Sequence, residues 1–161
     1  RVGVGPGLAF AQSVIDFLPT GARVGLLPCA VGGTEIARWH ATSGDLFKAA
    51  VRRVQQGRDG GGVLSGILWH QGESDSGSAD DAAQYEERLR AVVAGFRDAC
   101  GAADVPLVLG ELGLDFLDWE GEKYAGKVNF RHAEQVNTAI VEVAATSGLA
   151  TASVSAAGLG P

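Results

Sequence analysis

Three short segments of the chain combine glycine with amide, hydroxyl or carboxyl side chains. They are Gly32-Gly33-Thr34, Gln71-Gly72-Glu73-Ser74-Asp75 and Gly110-Glu111. Glycine lets a backbone N–H come close to a substrate. A glutamine amide donates hydrogen bonds, and a carboxylate accepts them and orients its neighbours. Such a set suits a reaction in which negative charge builds on one oxygen, as in acyl transfer. Ser74 adds a nucleophile candidate, because Gly72-Glu73-Ser74-Asp75-Ser76 follows an apolar run and mimics a G-x-S-x-G turn. The closing glycine of that turn is absent. His132 falls in a stretch that reads as mid-helix, so no late histidine pairs with Ser74. Ser74 is therefore expected not to be the attacking group. His70, next to Gln71, is expected to pack beside the site rather than act as a base.

Other signals are weaker. Gly60-Gly61-Gly62 lacks the lysine of a phosphate loop and reads as a turn. Gly3-Val4-Gly5-Pro6-Gly7 has dinucleotide-like spacing but follows no strand. His40, His70 and His132 lie far apart with no cysteine or histidine at ligand spacing, so no metal site is expected. Cys29 and Cys100 make no disulfide framework. Both are expected as thiols, Cys29 at a strand end and Cys100 after a helix; nothing in the sequence fixes their redox state. Trp39 and Trp119 have faces suited to stacking on sugars, though ordinary packing is the expectation for each.

The chain has 161 residues, 46% hydrophobic and 20% charged, with mean hydropathy +0.11. That is enough apolar surface for a single buried core over residues 1–161. A net charge of −6 without a basic stripe argues against nucleic acid as a partner. No apolar run approaches the length of a membrane span. The chain begins Arg1-Val2-Gly3 without Met, and the expectation is that residues are missing upstream. Compartment and oligomeric state are not legible.

The elements that must hold these segments alternate between helix and strand. A helix is predicted from Pro6 to Leu18, with an apolar stripe of Leu8, Phe10, Ala11, Val14, Ile15 and Leu18. Val24–Leu27 reads as a buried strand, followed by the Gly32-Gly33 loop. Asp45, as N-cap, opens a helix to Gln56, with Leu46, Phe47, Ala50, Val51 and Val54 inward. Val63–Trp69 is the next strand, and His70–Gly77 the next loop. Ser78 with Asp81 is a capping signal for a third helix. Its inner face is Ala82, Tyr85, Leu89, Val92, Val93 and Phe96, with Glu86 and Arg90 paired outside. Val105–Leu109 is a strand, residues 114–127 an irregular excursion, and Phe130–Ala145 a helix burying Ala133, Val136, Ile140 and Val143. Leu149–Val154 is the last strand. Apolar strands separated by helices predict a mostly parallel sheet in a three-layer α/β/α sandwich. Ligands then bind beyond the carboxyl ends of the strands, where the three polar segments lie.

The element Trp69-His70-Gln71-Gly72-Glu73-Ser74-Asp75 does not stand alone. With it go Leu27-Pro28-Cys29-Ala30-Val31-Gly32-Gly33-Thr34, the opening Gly3-Val4-Gly5-Pro6-Gly7, and Gly110-Glu111-Leu112. In that order and spacing the set resembles the SGNH-type carbohydrate esterases of the sialate O-acetylesterase-like group, which includes acetyl xylan esterases. The resemblance covers nearly the whole chain. It implies an SGNH (flavodoxin-like) fold and serine-type hydrolysis of acetyl esters on sugars, with an acetylated carbohydrate as substrate and no cofactor or metal. By resemblance, the N–H of Gly33 (or Gly32) and the amide of Gln71 would be oxyanion donors, with Glu73 and Thr34 as supports.

The family's G-Q-S-N-like nucleophile turn and D-x-x-H-like turn are not among residues 1–161. Ser155-Ala156-Ala157-Gly158-Leu159 resembles the approach to the second. The expectation is a domain lacking its first strand and last helix and carrying the oxyanion half of the site. Taken alone, such a chain is expected to show essentially no turnover. Two other readings stay open at this point: a non-catalytic remnant or carbohydrate-binding fragment of the family, and an α/β-hydrolase that uses Ser74.

Overall fold

A computed structural model describes residues 5–114, 130–148 and 151–155. The helices are α1 (Gly7–Ile15), α2 (Asp45–Asp59), α3 (Ala79–Ala99) and α4 (Ala133–Thr146). The strands are β1 (Ile67–Trp69), β2 (Leu107–Gly110) and β3 (Thr151–Val154). Short 3-10 turns occupy Ile36–Trp39 and Asp75–Gly77.

The sheet is parallel, in the order β1-β2-β3. Trp69 pairs with Leu109, which pairs with Ser153. Two successive βαβ crossovers in the same direction across a sheet place both helices on one face. Accordingly, α3 and α4 pack against each other, and α4 packs on β2 and β3. The face they cover carries Trp69, Leu107 and Leu109, all buried. The alternate residues Leu68 and Val154 point the other way and are 39% and 55% exposed. The α/β class and the parallel sheet thus match the sequence pattern.

The helical faces follow the 3.6-residue period. Every apolar residue expected inward on α3 is buried, and Tyr85 and Leu89 are fully so. On α4, Val136, Ile140 and Val143 are fully buried. Ser78 caps α3 by accepting from the Asp81 N–H at 3.3 Å. Glu86 and Arg90 pair at 2.7 Å. Phe47 of α2 lies 4.6 Å from Phe96 of α3, ring centre to ring centre. Trp39 meets Trp69 edge-on at 5.2 Å, so Trp39 is a core residue rather than a sugar platform. Trp119 and, apart from Leu114, the excursion at 114–127 fall outside the described residues.

Four expectations are corrected. Val24–Leu27 forms no ladder: it runs without regular structure, and Leu26 and Leu27 are largely exposed. A strand needs a hydrogen-bonded neighbour, and among the described residues none lies beside this one. In consequence the apolar stripe of α1 is not packed inward, and no residue of that helix is buried. Asp45 is the first helical residue, not the cap. Gly44 takes the cap position, and the Asp45 carboxylate accepts from Arg38 at 2.5 Å. His132 is the N-cap of α4 rather than a mid-helix residue. Both cysteines are free thiols: Cys100 is buried after α3, and Cys29 is half-buried in an irregular segment.

Candidate functional site

Two loops meet beyond the carboxyl end of β1. One is residues 32–36 and the other is residues 70–77. The second folds tightly because Gly72 takes φ +139°. A side chain there would strike Val136 Cγ1 at 2.7 Å and Tyr85 Oη at 3.2 Å. Glycine therefore lets the loop backbone lie directly on α3 and α4. Ser76 and His132 complete the seat: the His132 N–H donates to the Ser76 carbonyl at 3.0 Å. The Ser76 hydroxyl in turn donates to the Glu73 carbonyl at 2.8 Å.

Gln71 is buried at the centre, and its carboxamide is fully engaged. Nε2 donates to the Thr34 carbonyl at 2.9 Å and to Asp75 Oδ2 at 2.6 Å. The Tyr85 hydroxyl donates to the Gln71 backbone carbonyl at 2.6 Å and lies 3.2 Å from Oε1. These partners fix the amide orientation, with nitrogen facing acceptors and oxygen facing the phenol. Burial pushes the Tyr85 phenol well above its usual range, so it stays a donor.

Asp75 is fully buried. Its two oxygens accept from the Ile36 N–H at 3.0 and 3.3 Å. Arg88 Nη1, which bridges to Asp81 at 2.9 Å, lies 3.9 Å from Asp75 Oδ1. Burial pushes the Asp75 carboxyl above the ordinary aspartate value, opposed by its bonds to Gln71 and Ile36. The family motif contained Asp75, but the sequence offered no sign that it was buried. Asn137 was also missed. Its side chain accepts from the Leu112 N–H at 2.7 Å and donates to the Leu112 carbonyl at 2.9 Å. That pair pins the loop after β2.

The expected site residues divide. Gly32, Gly33, Thr34 and Gln71 come together. Gly33 takes φ +70°. Both glycines are exposed, and among the described residues neither N–H has a hydrogen-bond acceptor. Thr34 is buried, and its hydroxyl donates to the Val31 carbonyl at 2.8 Å, closing the turn. Gln71 has no spare N–H, contrary to its expected role as a free donor. It would reach an oxyanion only by releasing Thr34. Glu73, expected as a support, places its half-exposed carboxylate 3.9 Å from His70 Nδ1. His70 Nε2 sits 3.3 Å from the Glu111 carbonyl, which joins the third polar segment to this edge.

Ser74 takes φ −65° and ψ −39°, a relaxed helical conformation. A nucleophile elbow is a strained turn, so the local backbone is not of that kind. Among the described residues no group of three or more His, Cys, Asp or Glu side chains is placed to hold a metal ion. No helix among them is long and apolar enough to cross a membrane.

A family model described as carbohydrate esterase, sialic acid-specific acetylesterase, matches residues 1–156. A probable carbohydrate esterase of Arabidopsis thaliana is 38% identical over 107 residues, covering 66% of this chain and 41% of that protein. The X-ray structure of that Arabidopsis protein matches with a TM-score of 0.77 at 29% identity, over 97% of this chain and 57% of that one. The chain therefore spans only part of the length of the relative it matches.

Proposed function

The chain belongs to the carbohydrate esterase family of sialic acid-specific acetylesterases, and from that premise we propose that it carries the oxyanion-holding half of a serine O-acetylesterase site. The substrate class is an acetylated carbohydrate. One observation carries the reading. Gly32 and Gly33, both exposed and with no acceptor for their N–H groups among the described residues, stand at the carboxyl end of a parallel sheet, on a loop gripped through Thr34 by a fully bonded Gln71.

The chemistry follows from that placement. A serine oxygen adds to the acetyl carbonyl, and its proton passes to a histidine held by an aspartate. The carbonyl oxygen becomes an anion and accepts from Gly33 N–H, with Gly32 beside it. The intermediate collapses, the sugar oxygen takes the proton from the histidine, and water repeats the cycle to release acetate. The serine, histidine and aspartate of this scheme come from outside residues 1–161. Thr34 and Gln71 hold the donor loop still, so little reorganisation is needed as charge develops.

The relaxed backbone at Ser74 counts against the reading that makes it the nucleophile. The test is hydrolysis of an aryl acetate and an acetylated sugar by the full-length protein, beside Ser74→Ala. The expected result is turnover by both, with the variant keeping at least about half of kcat, because Ser74 makes no transition-state contact. Abolished turnover in the variant would install Ser74 as nucleophile. No hydrolysis by the wild-type protein would support a non-catalytic, carbohydrate-binding role.

A further inference from the structure

Thr34, Ile36, Gln71 and Asp75 form a closed circuit. Gln71 Nε2 donates both to the Thr34 carbonyl and to Asp75, at 2.9 and 2.6 Å. The Ile36 N–H donates to Asp75 at 3.0 Å. The carboxylate thus ties together two loops 39 residues apart in sequence. A buried carboxylate is costly unless it is fully bonded or paired. Here one donor from each loop meets the carboxylate, and Arg88 on α3 brings positive charge to 3.9 Å.

We infer that Asp75 is the positioning residue of the donor loop, fixing the Gly32-Gly33 turn against Gln71 through the Ile36 N–H. This rests on the esterase reading above. Asp75 touches no substrate. Without its carboxylate, Ile36 loses its acceptor and Gln71 loses the partner that aims its nitrogen. The Gly33 turn is then held by the Thr34 contact alone. Charge stabilisation in the transition state should suffer, while binding of the ground-state ester should not, because no sugar contact changes.

The experiment uses the full-length protein and Asp75→Asn, with Asp75→Glu as a milder variant that keeps the charge. Asn can set its one carbonyl oxygen in the place of Oδ2, but it loses the charge and turns an NH₂ in the place of Oδ1 toward the Ile36 N–H and Arg88. The expected result for Asn is a kcat on aryl acetate at least about tenfold lower, with KM within about twofold. Glu should fall between Asn and wild type. Amide exchange should quicken in peptides covering 31–37 while α3 stays protected, a local change that global destabilisation would not give. If Asn fails to fold, the kcat–KM split and exchange pattern of Glu decide. Wild-type kcat in a folded variant, or exchange that quickens equally in α3, would overturn the role of Asp75 alone. An inactive wild-type protein would overturn the esterase reading with it.

Discussion

Gly72→Ala is expected to destabilise the protein by roughly 3–5 kcal/mol, the sum of backbone strain and overpacking. Two independent facts add here. The φ of +139° lies where an L side chain rarely goes, and the added Cβ would meet Val136 Cγ1 at 2.7 Å. Val136 is fully buried between the helices, so it cannot step aside cheaply. Either the 70–77 loop lifts off α3 and α4, or α4 moves. The check is a urea unfolding curve: the midpoint should fall with the slope unchanged. A loss below about 1 kcal/mol would mean that the loop is not seated as described.

Gln71→Ala is expected to lower kcat of the full-length protein on aryl acetate by at least about tenfold, with KM little changed. The deletion leaves the Thr34 carbonyl short of a partner and the Asp75 carboxylate with only Ile36 and Arg88 nearby, while the Tyr85 hydroxyl keeps the backbone carbonyl of residue 71. Buried polar groups left unsatisfied cost about 1–3 kcal/mol each, so stability should fall too. Steady-state kinetics at a temperature well below unfolding separates the two effects. Gln71→Glu should be at least as damaging as Ala, because it sets a second carboxylate against Asp75 in place of the donating nitrogen. A Glu variant with wild-type kcat would remove Gln71 from the account.

Much of the scaffold was legible in the sequence. Helices α3 and α4 carry long, regular apolar stripes, and a period of 3.6 residues marks both a helix and the face that it buries. The runs leading into Trp69 and Leu109 were placed correctly, with ladders shorter than the apolar runs. Val24–Leu27 shows the limit of that reasoning. Four apolar residues mark a segment that suits a strand, but pairing depends on a neighbour that local pattern does not reveal.

The candidate site was legible as a location and less so as a network. Glycines near polar groups at strand ends pointed to the right edge of the sheet. The N–H groups of Gly32 and Gly33, without an acceptor among the described residues, fit that reading. The surroundings of Glu73 were not legible, because burial is a tertiary property. Glu73 and Asp75 are both acids in one motif, and only the fold puts one against His70 at the surface and the other under Ile36. The same holds for Gln71, whose amide looks like a free donor in sequence and is fully bonded in space.

The central claim is that Gly32-Gly33, steadied by Gln71, faces a serine supplied from outside residues 1–161. The direct measurement is covalent trapping. A fluorophosphonate reacts with an activated serine by losing fluoride, and leaves a tetrahedral phosphonyl oxygen where the oxyanion would sit. The adduct is mapped by mass spectrometry in the full-length protein and in Gln71→Ala. The account predicts an adduct on a serine outside residues 1–161, formed at least about tenfold more slowly in the variant. An adduct on Ser74, or equal trapping rates in the two proteins, would contradict it.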